Sequence, residues 1–197
     1  MDTVAQTRRL GLEGSQTRAR FIDAAEEVLR DEGLPALTAR QVAAKAGLKT
    51  QLLYYYFRTM DDLILALVRR VNEHRLVRFE AALAAPEPLR ALWELNSDPT
   101  GAALASELSS IATHREAIRA EIVRSAEQFR ALQIEAVSRL LIPDGSRSAA
   151  GIVMIAVALA RMIVSESALG LTDGHAEALA IVEQMLERLS TPVPTAS

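Results

Sequence analysis

Six of the eight residues from Lys49 to Tyr56 end in a group that can hydrogen-bond: Lys49, Thr50, Gln51, Tyr54, Tyr55 and Tyr56. Arg40 lies nine residues upstream and Arg58 two residues downstream. None of these side chains is an activated nucleophile or a paired acid and base, so the chemistry they offer is recognition. An arginine fork matches the guanine edge, a glutamine amide matches adenine, and a tyrosine ring can touch a thymine methyl. Tyrosine hydroxyls donate to phosphate oxygens without adding charge. Elsewhere the chain is poor in reactive groups. It has no cysteine, which excludes disulfides, thiol nucleophiles and Cys-ligated zinc. Its three histidines, His74, His114 and His175, are scattered singly. No H-E-x-x-H, G-x-S-x-G, P-loop or dinucleotide glycine fingerprint occurs. No catalytic residue, metal site or cofactor is expected.

The elements that must position these groups are legible around them. In LTARQVAAKAGL, Thr38 and Gln41 have capping-box spacing: the Thr38 hydroxyl can accept from the Gln41 amide, and the Gln41 side chain can reach back. Val42, Ala43 and Ala46 give this helix a small apolar face, and Gly47 supplies a left-handed stop. A second helix follows, with Leu52, Leu53 and Phe57 available for burial. Two short helices joined by a tight turn, the second leaving donors and aromatics outside, are what a helix-turn-helix offers to a major groove.

A length of 197 residues with 50% hydrophobic composition suffices for one or two compact units. The net charge of −3 argues against a general nucleic-acid binder, but it is unevenly spread. Residues 1–58 hold nine basic against seven acidic side chains, and residues 59–197 hold thirteen against eighteen. The N-terminus lacks the apolar stretch of a secretory signal. The longest apolar run, GIVMIAVALA at 151–160, is too short to span a bilayer and reads as a buried helix. A soluble, cytoplasmic protein with no membrane partner is expected.

No strand-like alternation occurs, so the expected fold class is all-α, with about nine helices. Residues 1–14 read as a mobile arm whose Arg8 and Arg9 either reach DNA or are simply solvated. A helix over 15–32 buries Phe21, Ile22, Ala25, Val28 and Leu29, and is closed by Gly33 and Pro35. Thr59 and Asp62 open a fourth helix reaching about Ala84. A short helix around 89–95 follows, then one opened by Asp98 and Pro99, then a long one over 115–141. PDGS at 143–146 is a turn, 148–169 an apolar helix, 175–189 the last helix and TPVPTAS a fraying tail.

FIDAAEEVLRDEG, LTARQVAAKAGL, LLYYYF and the segment from Asp61 to Leu65 together resemble the tetracycline-repressor (TetR/AcrR) family of transcriptional regulators. The resemblance implies an N-terminal three-helix domain over 15–58 that reads an operator. It also implies a C-terminal helical domain over 59–197 that binds a small molecule and dimerises. Carried over by position, Arg40, Thr50, Gln51 and Tyr54 fall where base edges are met. Lys49, Tyr55 and Tyr56 fall near phosphates. Three positions depart from the family pattern. Lys49 stands where a small capping residue is usual, so Thr50 can cap instead, and Leu52 replaces a small or hydroxylated residue. Met60 replaces a frequent phosphate-binding lysine, leaving Arg58 or the amides opening the fourth helix. Tyr54 and Phe57 lie three apart, so Tyr54 can equally pack inward.

For the C-terminal domain, the strip Val153, Ala156, Ala160 and Val164 with Leu179, Val182 and Leu186 is the expected homodimer interface. Trp93, Leu104, Glu107, Leu108, Ile111, Ile122, Phe129, Met154 and Met162 are the candidate pocket residues, each also readable as ordinary core. Glu107 needs a partner, either a cationic ligand or an arginine such as Arg119 or Arg161. The function expected is a ligand-responsive, sequence-specific DNA-binding regulator, a repressor released from a palindromic operator by a hydrophobic or amphipathic effector. Its competitors are a helical interaction or dimerisation module without DNA binding, favoured by Met60, and a helical enzyme.

Overall fold

The computed structural model describes the backbone of residues 2–141 and 148–190, with side chains over 14–141 and 148–189. Nine α-helices and no strand occur among the described residues. They are α1 (Asp2–Glu32), α2 (Ala39–Lys45), α3 (Thr50–Tyr56), α4 (Met60–Leu83), α5 (Pro88–Asn96), α6 (Pro99–Ala112), α7 (Glu116–Leu140), α8 (Ala149–Ala168) and α9 (His175–Ser190). A 3-10 turn, Leu34–Ala36, joins α1 to α2. The all-α expectation holds. The turn expected at 143–146 and the tail from 191 lie outside the described residues.

The N-terminal arm is a correction. Residues 2–14 continue α1 as helix rather than standing apart from it. The segment contains no proline, and its two glycines each cost only about 1 kcal/mol against alanine. Propagation from the long helix that follows is enough to carry them.

The chain divides into two compact units. One comprises the residues up to Asn72 together with Leu104–Val123; the other comprises Glu73–Ala103 with Arg124 onward. The boundary expected at 58/59 therefore falls later, inside α4. The reason is burial: Leu63, Ile64 and Leu67 of α4, Leu104, Leu108 and Ile111 of α6, and Ile118 of α7 all belong to the core of the N-terminal unit. That core is built on Phe21, Ile22, Ala25 and Leu29 of α1, Val42 and Ala43 of α2, and Leu53 and Phe57 of the α3 segment. Phe21 and Phe57 meet edge to face with centroids 6.5 Å apart, a favoured aromatic geometry.

The C-terminal unit has its own core of Phe79, Leu92, Phe129, Ala136, Val137, Leu141 and Val153. Phe79 and Phe129 pack edge to face at 5.3 Å. Helix α5 lies against α8 and α9, and Arg90 Nη1 donates to Glu183 Oε1 at 2.7 Å between α5 and α9. The α8–α9 turn uses Gly170 and Gly174 at φ 80° and 81°, and His175 Nε2 sits 2.8 Å from Glu166 Oε2 across it.

Within the single chain, helix α8 is buried on one side only, at Val153 and Ala160. It is 20 residues long with a mean hydropathy of 1.9 over its most apolar window, long and apolar enough by composition alone to cross a membrane. Only 11% of that window is buried within the chain. Its outer face, Met154, Ile155 and Met162, is exposed.

Candidate nucleic-acid interface and effector cavity

The turn between α2 and α3 is fixed from both ends. Thr38 caps α2, its Oγ1 accepting from Gln41 N at 3.2 Å. The reciprocal half of the expected capping box is not made: Gln41 Nε2 donates instead to Glu32 Oε2 at 2.7 Å, tying α2 to the end of α1. At the other end Leu48 N donates to Ala43 O, and Gly47 N to Ala44 O. With Gly47 at φ 65°, this is the Schellman stop that glycine permits without Cβ strain. Arg20 of α1 adds a further clamp, its Nη2 donating to Ala46 O at 2.6 Å. Sequence reading missed Arg20, since nothing local pairs it with a carbonyl 26 residues away.

Helix α3 starts at Thr50, with Lys49 in the N-cap position and making no side-chain cap. Thr50 is thus the first helical residue rather than the cap. Leu53 is buried completely and Phe57 almost so, while Leu52 is partly buried against the same core. This anchoring leaves Lys49, Gln51, Tyr54 and Tyr55 outside, with Thr50 half-buried. Tyr55 is 79% exposed and Tyr54 50%, which resolves the two readings of Tyr54 in favour of the outer face. Tyr56 goes the other way. It is half-buried, its ring tilted on Phe21 at 6.4 Å and edge-on to Tyr55 at 5.1 Å, so packing takes part of what was expected to clamp phosphate.

The charges sort equally clearly. Arg40, Lys49 and Arg58 are exposed and form no ion pair among the described residues. Lys45 is committed to Glu27 and Asp31 on α1, at 3.7 and 3.4 Å. Arg30 and Lys45 together hold the Asp31 carboxyl below its usual range. At the start of α4 both halves of a capping box are present: Asp62 N donates to Thr59 Oγ1 at 3.1 Å, and Thr59 N to Asp62 Oδ2 at 3.0 Å. Asp61 and Asp62 place two carboxylates in that first turn. Of the two substitutes for the missing lysine at Met60, the exposed Arg58 keeps the right charge, whereas the helix start is already occupied by Asp62, capping Thr59 N, and by Asp61, paired with Arg115 at 2.9 Å.

In the C-terminal unit an apolar cavity of about 130 Å³ lies among α5, α7, α8 and α9. Leu92 and Trp93 form part of its wall from α5, Val137 from α7, Val153 and Val157 from α8, and Leu186 from α9. Two amides are its polar features. Gln133 Nε2 donates to Asn96 Oδ1 at 3.1 Å, and Asn96 Nδ2 donates to Leu92 O at 2.8 Å. Gln133 is only 5% exposed.

The candidate pocket residues do not gather here. Trp93 alone lines the cavity. Leu104, Leu108 and Ile111 are buried in the N-terminal core, and Ile122 packs against it. Phe129 is core of the C-terminal unit, and Met154 and Met162 face outward. Glu107 is half-buried and pairs with neither proposed arginine; Arg119 is held by Glu116. The residues of the expected interface strip lie in different surroundings within the chain. Val153, Ala160 and Val182 are buried within the chain, and Ala156 and Leu186 line the cavity. Val164 is half-buried, and Leu179 remains exposed. The exposed apolar side chains near it are Met154, Ile155 and Met162 on α8, with Leu179, Ile181 and Met185 on α9; Ile155 and Met185 also border the cavity. A helix apolar nearly all round gives no periodic signal for which side turns inward, and Asn96 and Gln133 carried no local signal of meeting.

The anchored α3, exposed on one face and joined to α2 by a glycine turn, defines a helix-turn-helix class of protein. Residues 21–67 match the family model described as bacterial regulatory proteins, tetR family. Over these residues the chain is similar to that family. It is 28% identical over 120 residues to the HTH-type transcriptional regulator BetI of Rhizobium meliloti (strain 1021), a match covering 59% of each chain. The matched part thus spans less than two thirds of that relative. Among solved structures, the multidrug binding protein EbrR complexed with imidazole is 28% identical, with a TM-score of 0.60 over 92% of this chain and 93% of that one. A transcriptional regulator from Saccharomonospora viridis in complex with choline shares the fold at 18% identity, with a TM-score of 0.69 over 79% and 87%.

Proposed function

We propose that this chain is a ligand-responsive transcriptional regulator, a repressor that binds a palindromic operator as a homodimer. The observation that carries this reading is the outer face of α3, where Gln51, Tyr54 and Tyr55 stand free on a helix whose other side is locked by Leu53 and Phe57. Arg40, Lys49 and Arg58 supply unpaired positive charge around it. In this reading Arg40, Thr50, Gln51 and Tyr54 meet base edges, and Lys49, Tyr55, Tyr56 and Arg58 meet phosphates.

The exposed apolar face of α8 and α9 supports dimerisation, since a surface of this kind is otherwise a liability in water. Two copies would present their α3 helices about one DNA turn apart, roughly 34–36 Å. The cavity beside Trp93 supports an apolar or amphipathic effector, which acts by binding one spacing of the two heads better than the other. A gel shift with the intact dimer on the promoter nearest its own gene tests the reading. A sequence-specific complex at low salt, weakened by the effector, is expected; no sequence preference would sink it.

A further inference from the structure

Arg75, on the second half of α4, is a half-buried cation with no ion pair among the described residues. Its guanidinium carbon lies 3.6 Å from the ring centre of Phe129, itself buried in the core. That stack occupies the flat face of the guanidinium and leaves its N–H edge. No carboxylate, carbonyl or hydroxyl among the described residues accepts from that edge. The charged groups acting on Arg75 are Arg161 and Arg78, both of the same sign. Arg78 has its own counter-ion, Asp98 Oδ2 at 2.6 Å, whereas Arg161 has none among the described residues. Burial first, then these two arginines, pull the Arg75 guanidinium down to about 10. A largely desolvated cation flanked by cations is a costly arrangement unless an anion completes it.

We propose that Arg75, backed by Arg161, anchors the carboxylate of the effector, so that the ligand class is an amphipathic organic acid. The inference rests on the reading that the cavity beside Trp93 holds the effector. The register fits. Phe129 precedes Gln133 by one turn of α7, and Arg161 follows Val157 by one turn of α8, while Gln133 and Val157 both line the cavity. Arg75, Phe129 and Arg161 do not themselves line the cavity; a helical turn advances about 5.4 Å, so the acid's head would sit about one turn beyond the wall that holds its apolar body. Two carboxylate oxygens match the planar fork of arginine in a way that a hydroxyl cannot. A quaternary ammonium such as the choline of the Saccharomonospora viridis complex would meet like charge here.

Trp93 is the chain's single tryptophan and lies in the cavity wall, so its emission reports occupancy. The full chain is titrated with octanoate, octanol and octyltrimethylammonium. Octanoate is expected to bind at least about tenfold tighter than either of the others, as a charge-assisted bidentate pair requires. Arg75→Gln should weaken octanoate by about tenfold and leave octanol within about twofold. Arg161→Gln, an exposed site, should weaken octanoate by about threefold without affecting folding. Should Arg75→Gln fail to give a cooperative melt, the wild-type ranking and Arg161→Gln decide. Octanol binding as tightly as octanoate, or octanoate indifferent to both substitutions, overturns the acid-anchor proposal while leaving the cavity reading in place. Trp93 emission unmoved by all three ligands overturns the cavity reading, and the anchor with it.

Discussion

Helices α3 and α8 both present an open face, and the two faces differ in kind. Helix α3 hides Leu53 and turns outward an amide, two phenols and a lysine at its cap, groups that keep good hydrogen bonds in water. It needs no partner to be stable in solution. Helix α8 hides Val153 and Ala160 and turns outward Met154, Ile155 and Met162, which water tolerates poorly in a contiguous strip. The first face suits a reversible, hydrated, charged partner; the second suits a permanent apolar one. The same contrast runs through the packing beneath. The N-terminal unit sets Phe21, Leu53 and Phe57 at or near zero exposure, whereas the C-terminal unit keeps a cavity beside its core.

That contrast can be broken most forcefully at its anchors. Leu53→Ala should cost about 3–5 kcal/mol in urea unfolding, because a fully buried leucine leaves a cavity. Ile155→Ala, at 65% exposure, should change the unfolding of the isolated chain by less than about 0.5 kcal/mol. Ile155→Glu should instead sediment as a monomer, against the dimer proposed for the wild type; equal costs of Leu53→Ala and Ile155→Ala would end the comparison.

The recognition face sharpens it next. Gln51→Ala should lose about 1–3 kcal/mol of discrimination at one base pair, while Tyr55→Phe weakens binding to all sequences alike. Binding measured across a panel of operator variants separates the two patterns. At the turn, Gly47→Ala should cost about 1–2 kcal/mol, since an alanine at φ 65° meets the left-handed penalty. Thr59→Ala should cost about 1 kcal/mol by removing one half of the α4 capping box. Thermal melts check both.

The smallest effect is a pH dependence in the C-terminal unit. Burial alone would raise the Asp98 carboxyl, but the Arg78 guanidinium and two backbone N–H groups outweigh it and hold the group below its ordinary value of 3.8. The folded state therefore binds this proton less readily than the unfolded chain, and ionised Asp98 adds stability above pH about 4. That contribution is lost as pH falls through the lowered value. Asp98→Asn should destabilise slightly near neutrality and match the wild type in strong acid; a gap that widens on acidification would contradict the sign.

Much of the N-terminal site was legible because its signals are local. Thr38 with Gln41, Gly47, and Thr59 with Asp62 each lie within a few residues of the backbone they cap, and each cap formed on at least one side. Burial of Leu53 and Phe57 followed from spacing. Tyr54 and Tyr56 were not separable on that basis, since both sit beside buried positions on a helix of seven residues. Only the ring of Phe21, 35 positions away, draws Tyr56 inward and leaves Tyr54 out. The C-terminal site was hardly legible. Leu104, Leu108 and Ile111 had the right apolar character for a pocket wall but belong to the core of the other unit.

By itself the sequence determined the helical class, nearly every helix boundary from Ser15 to Leu141, and the turn that presents α3. These depend on backbone capping and on a 3.6-residue period, both written into neighbouring residues. Tertiary structure decided which side of α8 turns inward, that Asn96 meets Gln133 across 37 residues, and that Arg75 rests on Phe129 with no acid paired to it among the described residues. Those outcomes are set by the volume and charge of side chains brought together from distant helices, and an apolar helix with no polar stripe carries no local record of them.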